Sequence, residues 1–140
     1  MAALGGHVLD RVFLDANVLY SAAYLENSGL AKLANLENVQ LQASAYAIEE
    51  ARRNLVRDRP KALPRLQRFL ASVTEVEVRD LRLPTTIKLH QKDAPILLAA
   101  IGSKADYLLT GDARHFGHLY GKRIEGVLVL RPADYFRMRG

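Results

Sequence analysis

The amino-acid sequence predicts an α/β domain with a parallel sheet and crossover helices, and three observations lead there. Short β-type runs alternate with helical patterns from one end of the chain to the other, which is the arrangement βαβ units require. No internal repeat, low-complexity tract or linker interrupts that alternation. The length of 140 residues, with 49% hydrophobic and 25% charged residues, suits one domain, so residues 1–140 are expected to share a core.

The first apolar run, residues 11–15 (RVFLD), reads as a strand that closes on an acid. Helical periodicity follows over residues 16–37, with a break expected around 27–29, where Asn, Ser and Gly cluster. Residues 39–43 (VQLQA) form the second strand candidate. In the next segment, 44–57, Ile48, Ala51 and Leu55 recur at i, i+3 and i+7 and define a core-facing seam, while Glu50, Arg53 and Arg57 lie on the other side. Residues 63–73 read as a helix and 74–78 (TEVEV) as a strand. A further helix is expected over 93–104, where Ile96, Leu97, Ala100 and Ile101 repeat at helical spacing and account for its burial. Pro64 and Pro95 suit first turns, where a missing N–H costs little. Strands at 107–110 (YLLT) and 127–130 (VLVL), with helices at 112–120 and 132–138, complete the pattern. The runs at 11–15, 107–110 and 127–130 look most buried.

Composition removes several function classes. Cysteine is absent, so disulfides, iron–sulfur clusters, thiol nucleophiles and Cys-based zinc sites are excluded, and any metal must sit on oxygen or imidazole. The apolar run at Ala94–Gly102 spans nine residues, far short of the roughly 20 that cross a bilayer. The opening MAALGGHVLD lacks a basic region and a sustained apolar stretch, so it does not read as a signal peptide, and a cytoplasmic protein without a membrane partner is expected. No phosphate-binding glycine motif appears, and no serine lies in an elbow pattern. His115 and His118 stand three apart, but neither belongs to a zinc-protease motif and no acid neighbours them suitably. Both therefore read as core or surface histidines rather than ligands.

Charge is unevenly spread. The formal net charge is +5, yet residues 51–68 alone hold seven cations (Arg52, Arg53, Arg57, Arg59, Lys61, Arg65 and Arg68) against the single acid Asp58. Six of the seven are Arg, whose planar fork suits phosphate, and phosphate neutralisation is the main source of sequence-independent nucleic-acid affinity. A solvated helical face and an acidic partner protein are the alternatives.

Three aspartates occupy one kind of position. Asp15 ends a strand, Asp93 opens a buried helix, and Asp112 follows Leu108-Leu109-Thr110-Gly111. Open parallel sheets bind ligands outside the carboxyl ends of their strands. Each aspartate also has a helix-capping reading, and Asp93-Ala94-Pro95 reads very well as an N-cap. Carboxylates drawn within roughly 4–6 Å of one another raise each other's pKa unless a cation neutralises them, and a divalent ion is the economical solution. Hard oxygen ligands select Mg²⁺ or Mn²⁺, which position phosphate oxygens and activate water for in-line attack on a phosphodiester.

Here the sequence resembles the PIN-domain nucleases, a family that includes the toxin ribonucleases of toxin–antitoxin pairs. VFLDANVLYSA is similar to the family's first strand, with its acid at Asp15 and the accompanying Asn17. SAYAIEEARRNL fits the pattern of Ser44, then Glu50 six later, then Leu55 five later, with Glu49 as the fallback acid. KDAPILLAAIGSKADYLLTGDARHF matches the second half, carrying Asp93 as third acid and Asp112 as fourth with Thr110 beside it, and VLVLRPADYF resembles the last strand and helix. The pattern departs after the fourth acid, where many relatives carry another Asp or Asn and this chain has Arg114, His115 and Phe116. One or two metal positions thus stay open.

The resemblance implies a three-layer α/β/α sandwich with a mainly parallel central sheet. It also implies one Mg²⁺ or Mn²⁺ site built from Asp15, Glu50, Asp93 and Asp112. RNA would be the substrate, cut by metal-activated water. Asn17 and Thr110 are expected to orient the carboxylates or substrate, and Arg53 and Arg57 to bind the phosphate backbone beside Glu50. An antitoxin protein and a second copy of the chain are the partners it suggests. The alternatives are a housekeeping RNA-processing nuclease and a catalytically silent module that binds RNA or protein.

Overall fold

A computed structural model gives the fold, and it describes residues 9–77, 87–89 and 93–140. The described strands are β1 (Asp10–Leu14), β2 (Val39–Ser44), β3 (Val73–Val76), β4 (Tyr107–Leu109), β5 (Arg123–Ile124) and β6 (Val127–Leu130). They form one sheet in the order β3-β2-β1-β4-β6-β5, parallel throughout except for the antiparallel β5–β6 pair at the edge. The helices are α1 (Ala16–Tyr24), α2 (Ala45–Asp58), α3 (Leu63–Leu70), α4 (Ala94–Gly102), α5 (Ala113–Phe116) and α6 (Pro132–Arg139), with 3₁₀ segments at Gly29–Asn35, Pro60–Ala62 and Gly117–Leu119. This is the three-layer α/β/α architecture with a mainly parallel central sheet.

The layering follows from the strand sequences. Successive residues of a strand point to opposite faces, yet Val12, Phe13 and Leu14 are all fully buried, as are Leu108 and Leu109. Both faces of the two central strands must therefore be covered, as parallel sheets demand. α1, α2 and α3 pack on one another, and α4 rests against β2 and β4. Among the described residues no helix is long and apolar enough to cross a membrane.

Local chemistry sets the boundaries. Ser44 accepts from Ala47 N at 3.1 Å and starts α2, whose buried seam is Ala47, Ala51 and Leu55, with Ile48 packed partly against it. The expected break in the 16–37 segment is real: α1 stops at Tyr24, and Ser28, accepting from Leu30 N, opens the 3₁₀ turn. Two of the carbonyls left over at the end of α1, those of Ala23 and Tyr24, accept from Arg65, each at 2.8 Å. One cation of the basic segment is thus spent on architecture.

Two expectations are corrected. The helix expected over 63–73 ends at Leu70, and Val73 already belongs to β3, whose β-branched residue suits a strand better than a helix end. Val78, the last residue of the expected 74–78 strand, lies outside the described residues. The expected helix over 112–120 is a short α5 that tightens into a 3₁₀ turn at Gly117, a poor helix former. Strand β5 is an addition: Glu125 and Gly126, at φ 50° and 88°, form a two-residue hairpin between Ile124 and Val127. Positive φ at both central residues is what such a tight turn requires, but its usual marker is Asn or Asp at the first position, not Glu.

Candidate active site

The sheet order places a ligand site by topology. From β1 the chain moves outward through β2 to β3, then returns to β4 on the other side of β1, so the connections diverge between β1 and β4. The crevice outside the carboxyl ends of strands at such a point is where α/β sheets bind. Leu14 is in register with Leu109, and the residues that follow each strand are Asp15 and Thr110-Gly111-Asp112.

Asp15 is 5% exposed, and both its oxygens are engaged. Oδ1 accepts from Ala16 N at 2.7 Å, and Oδ2 accepts from Thr110 Oγ1 at 2.8 Å and Asn17 Nδ2 at 3.0 Å. The Thr110 hydroxyl also accepts from Asp112 N at 3.1 Å, so one fully buried oxygen links the first acid to the backbone of the last. Asn17 Oδ1 accepts from Gly111 N at 2.7 Å. A Cβ at Gly111 would stand 3.3 Å from that oxygen, so glycine permits the close approach. Tyr120 ties the same loop down by donating to Thr110 O at 2.8 Å.

Burial pushes the Asp15 carboxyl up from 3.8 to about 6. The Thr110 and Ala16 hydrogen bonds pull it back, and the charges of Asp93 and Glu50 raise it further. The structure therefore brings Glu50 and Asp93 within electrostatic reach of Asp15. Glu49 faces elsewhere: it pairs with Arg52 on the exposed side of α2.

Asp93 departs from its capping reading. It holds the N-cap position of α4, yet its side chain makes no cap hydrogen bond. Pro95 has no N–H to offer, and Ile96 N donates to the Asp93 main-chain oxygen at 3.1 Å. The buried carboxylate approaches His115 instead, with Oδ2 2.9 Å from Nδ1. Asp112 divides its oxygens: Oδ1 caps α5 by accepting from His115 N at 3.2 Å, and Oδ2 lies 2.9 Å from the same Nδ1. Ligand atoms of Asp93, Asp112 and His115 all lie within 4.8 Å of one another, a mixed oxygen and nitrogen set that fits a single divalent cation.

His115 overturns the expectation that no acid neighbours it. Its spacing from Asp112 held the information, since residues three apart share a helix face, but the approach of Asp93 depends on how α4 meets α5. His118 does not join the group. Its Nε2 lies 2.8 Å from Lys88 O.

Beside Glu50, α2 presents Tyr46, Arg53, Asn54 and Arg57 around one shallow depression. Arg57 already has a partner in Asp58, with Nε 2.7 Å from Oδ1, and Tyr20 donates to the same carboxylate. Arg59 lies over the Tyr24 ring.

A buried acid at the switch point and two further acids converging with an imidazole thus stand at the carboxyl edge of a mainly parallel α/β sheet, with an Arg-bearing face on α2. The chain belongs to the PIN domain family, whose pattern it matches over residues 11–114. Members of that family are generally nucleases. Its fold is similar to a chain in the crystal structure of VapBC2 from Rickettsia felis bound to a DNA fragment from their promoter, with a TM-score of 0.62 and 17% identity, covering 86% of this chain and 98% of that one. No curated protein sequence matches.

Proposed function

We propose that this chain is a metal-dependent endoribonuclease that hydrolyses RNA phosphodiester bonds and acts as the toxin of a toxin–antitoxin pair. The observation that carries the proposal is the convergence of carboxylates from separate segments on the crevice between β1 and β4. Asp93 and Asp112 would hold a Mg²⁺ or Mn²⁺ ion, with Asp15 and Glu50 completing the acidic group. When bound, such an ion polarises phosphate oxygens and makes water a competent nucleophile near neutral pH.

The protein's part is to fix that geometry. Thr110 and Asn17 lock the Asp15 carboxylate in one orientation and, through Asp112 N and Gly111 N, hold the second acidic loop to the first. Arg53 and Arg57 stand on the same face of α2 as Glu50, where a backbone leading into the crevice would pass. The structural likeness to VapBC2 supports the toxin reading and an antitoxin partner.

Purified protein is expected to cut RNA in the presence of Mg²⁺ or Mn²⁺, with cleavage lost on adding EDTA and in both Asp15→Asn and Asp93→Asn. Variants that cut at the wild-type rate with EDTA present would end the metal-nuclease reading. Binding of RNA without any cleavage would point to a silent module. Harmless overexpression of an active protein, with no bound partner recovered, would favour housekeeping RNA processing.

A further inference from the structure

We propose that His115 is itself a ligand of the catalytic ion, and that the site it shares with Asp93 and Asp112 takes Mn²⁺ in preference to Mg²⁺. This rests on the metal-nuclease reading and specifies the ion that reading leaves open.

The geometry is the starting point. His115 Nδ1 is 2.9 Å from Asp93 Oδ2 and 2.9 Å from Asp112 Oδ2. An imidazole nitrogen carries one proton or one lone pair, so it can direct itself at a single partner along one axis. Two carboxylate oxygens at equal distance from it form a triangle of donors, and a cation drawn between them satisfies all three at once. The backbone prepares each donor for this. Pro95 deprives Asp93 of a capping target, and Asp112 caps α5 with its other oxygen, leaving Oδ2 for the shared point. His115 N donates that cap bond, so the residue that supplies the imidazole also holds the neighbouring carboxylate in place.

Donor chemistry then selects among ions. Mg²⁺ demands hard oxygen ligands and dehydrates reluctantly. An imidazole nitrogen is a softer donor suited to transition-metal ions, and of the two candidates Mn²⁺ is the transition-metal ion. Acids alone would leave that choice open, and His115 tilts it.

Mn²⁺ binding to the full chain should be followed by electron paramagnetic resonance, with pulsed detection of ¹⁴N coupling, and Mn²⁺ and Mg²⁺ affinities should be measured by competition. Wild-type protein is expected to show ¹⁴N coupling to bound Mn²⁺. His115→Gln should abolish the coupling and lower the Mn²⁺-over-Mg²⁺ preference by about tenfold or more, the scale on which even groups supporting a metal ligand act. His118→Gln should leave both unchanged. Mn²⁺ that binds in an Asp93-dependent way without ¹⁴N coupling, or a coupling that survives His115→Gln, would overturn the proposal and leave the nuclease reading standing. Absence of any Mn²⁺ or Mg²⁺ binding that Asp93→Asn removes would overturn both. The wild-type spectrum decides the matter even should the His115 variant fold poorly.

Discussion

Asp15 is a residue whose charge folding opposes. Its carboxyl, raised from 3.8 to about 6, binds more protons in the folded chain than in the unfolded one, so the metal-free protein should lose stability as pH rises from about 4 to about 6. Asp15→Asn removes that charge, and chemical denaturation at pH 7 should find the metal-free variant more stable by up to about 3 kcal/mol, with the gain gone below pH 4. A variant no more stable than wild type at pH 7 would show that the buried charge is already compensated. Thr110 sits at the junction of the same network. Thr110→Val keeps the shape but leaves Asp112 N–H and Asp15 Oδ2 each short of a partner, so it should cost about 1–3 kcal/mol and most of the cleavage rate. Thr110→Ser should restore both, as measured by melting and by turnover.

At the scale of elements, α2 is asked to present Glu50 and its arginines on one face. Arg53→Ala should flatten the slope of log affinity against log salt by about 0.7 on single-stranded RNA, whatever its sequence. Arg57→Ala should change it less, because that guanidinium must first give up Asp58. Equal slopes for wild type and both variants would place the nucleic-acid surface elsewhere. Most of this architecture was legible in the sequence. Period-two and period-3.6 patterns located most strands and helices, and Ile48, Ala51 and Leu55 against Glu50, Arg53 and Arg57 divided α2, although Ala47 is the fully buried member of the seam and Ile48 only partly buried. Asp15 and Asp112 were legible because strand ends are marked by where apolar runs stop. What stayed hidden depends on angles between elements: Asp93 turning away from its own helix to meet His115, Arg65 reaching across to α1, and a hairpin whose turn begins with Glu.

Across the whole molecule, a ligand that binds only the folded state adds stability in proportion to the logarithm of its excess. At about a hundredfold excess over Kd a single cation contributes roughly 2.7 kcal/mol, which for a chain of this size raises Tm by roughly 8 °C. Calorimetry should find that shift in wild type and lose it in Asp93→Asn. No shift in either would mean that the cluster binds no ion by itself. The sheet order has one more consequence, and it concerns time. β1, β2 and β3 are neighbours both in the sheet and in the chain, but β1 receives β4 across a separation of 95 residues between Asp15 and Thr110. Contacts that distant close slowly, because the intervening chain must be ordered first. Tight cation binding should accordingly appear in refolding experiments no earlier than the slowest phase. A ribosome making this chain releases the first acid 95 residues before the loop that orients it, so the acidic group can be assembled only after the whole stretch between them has been made.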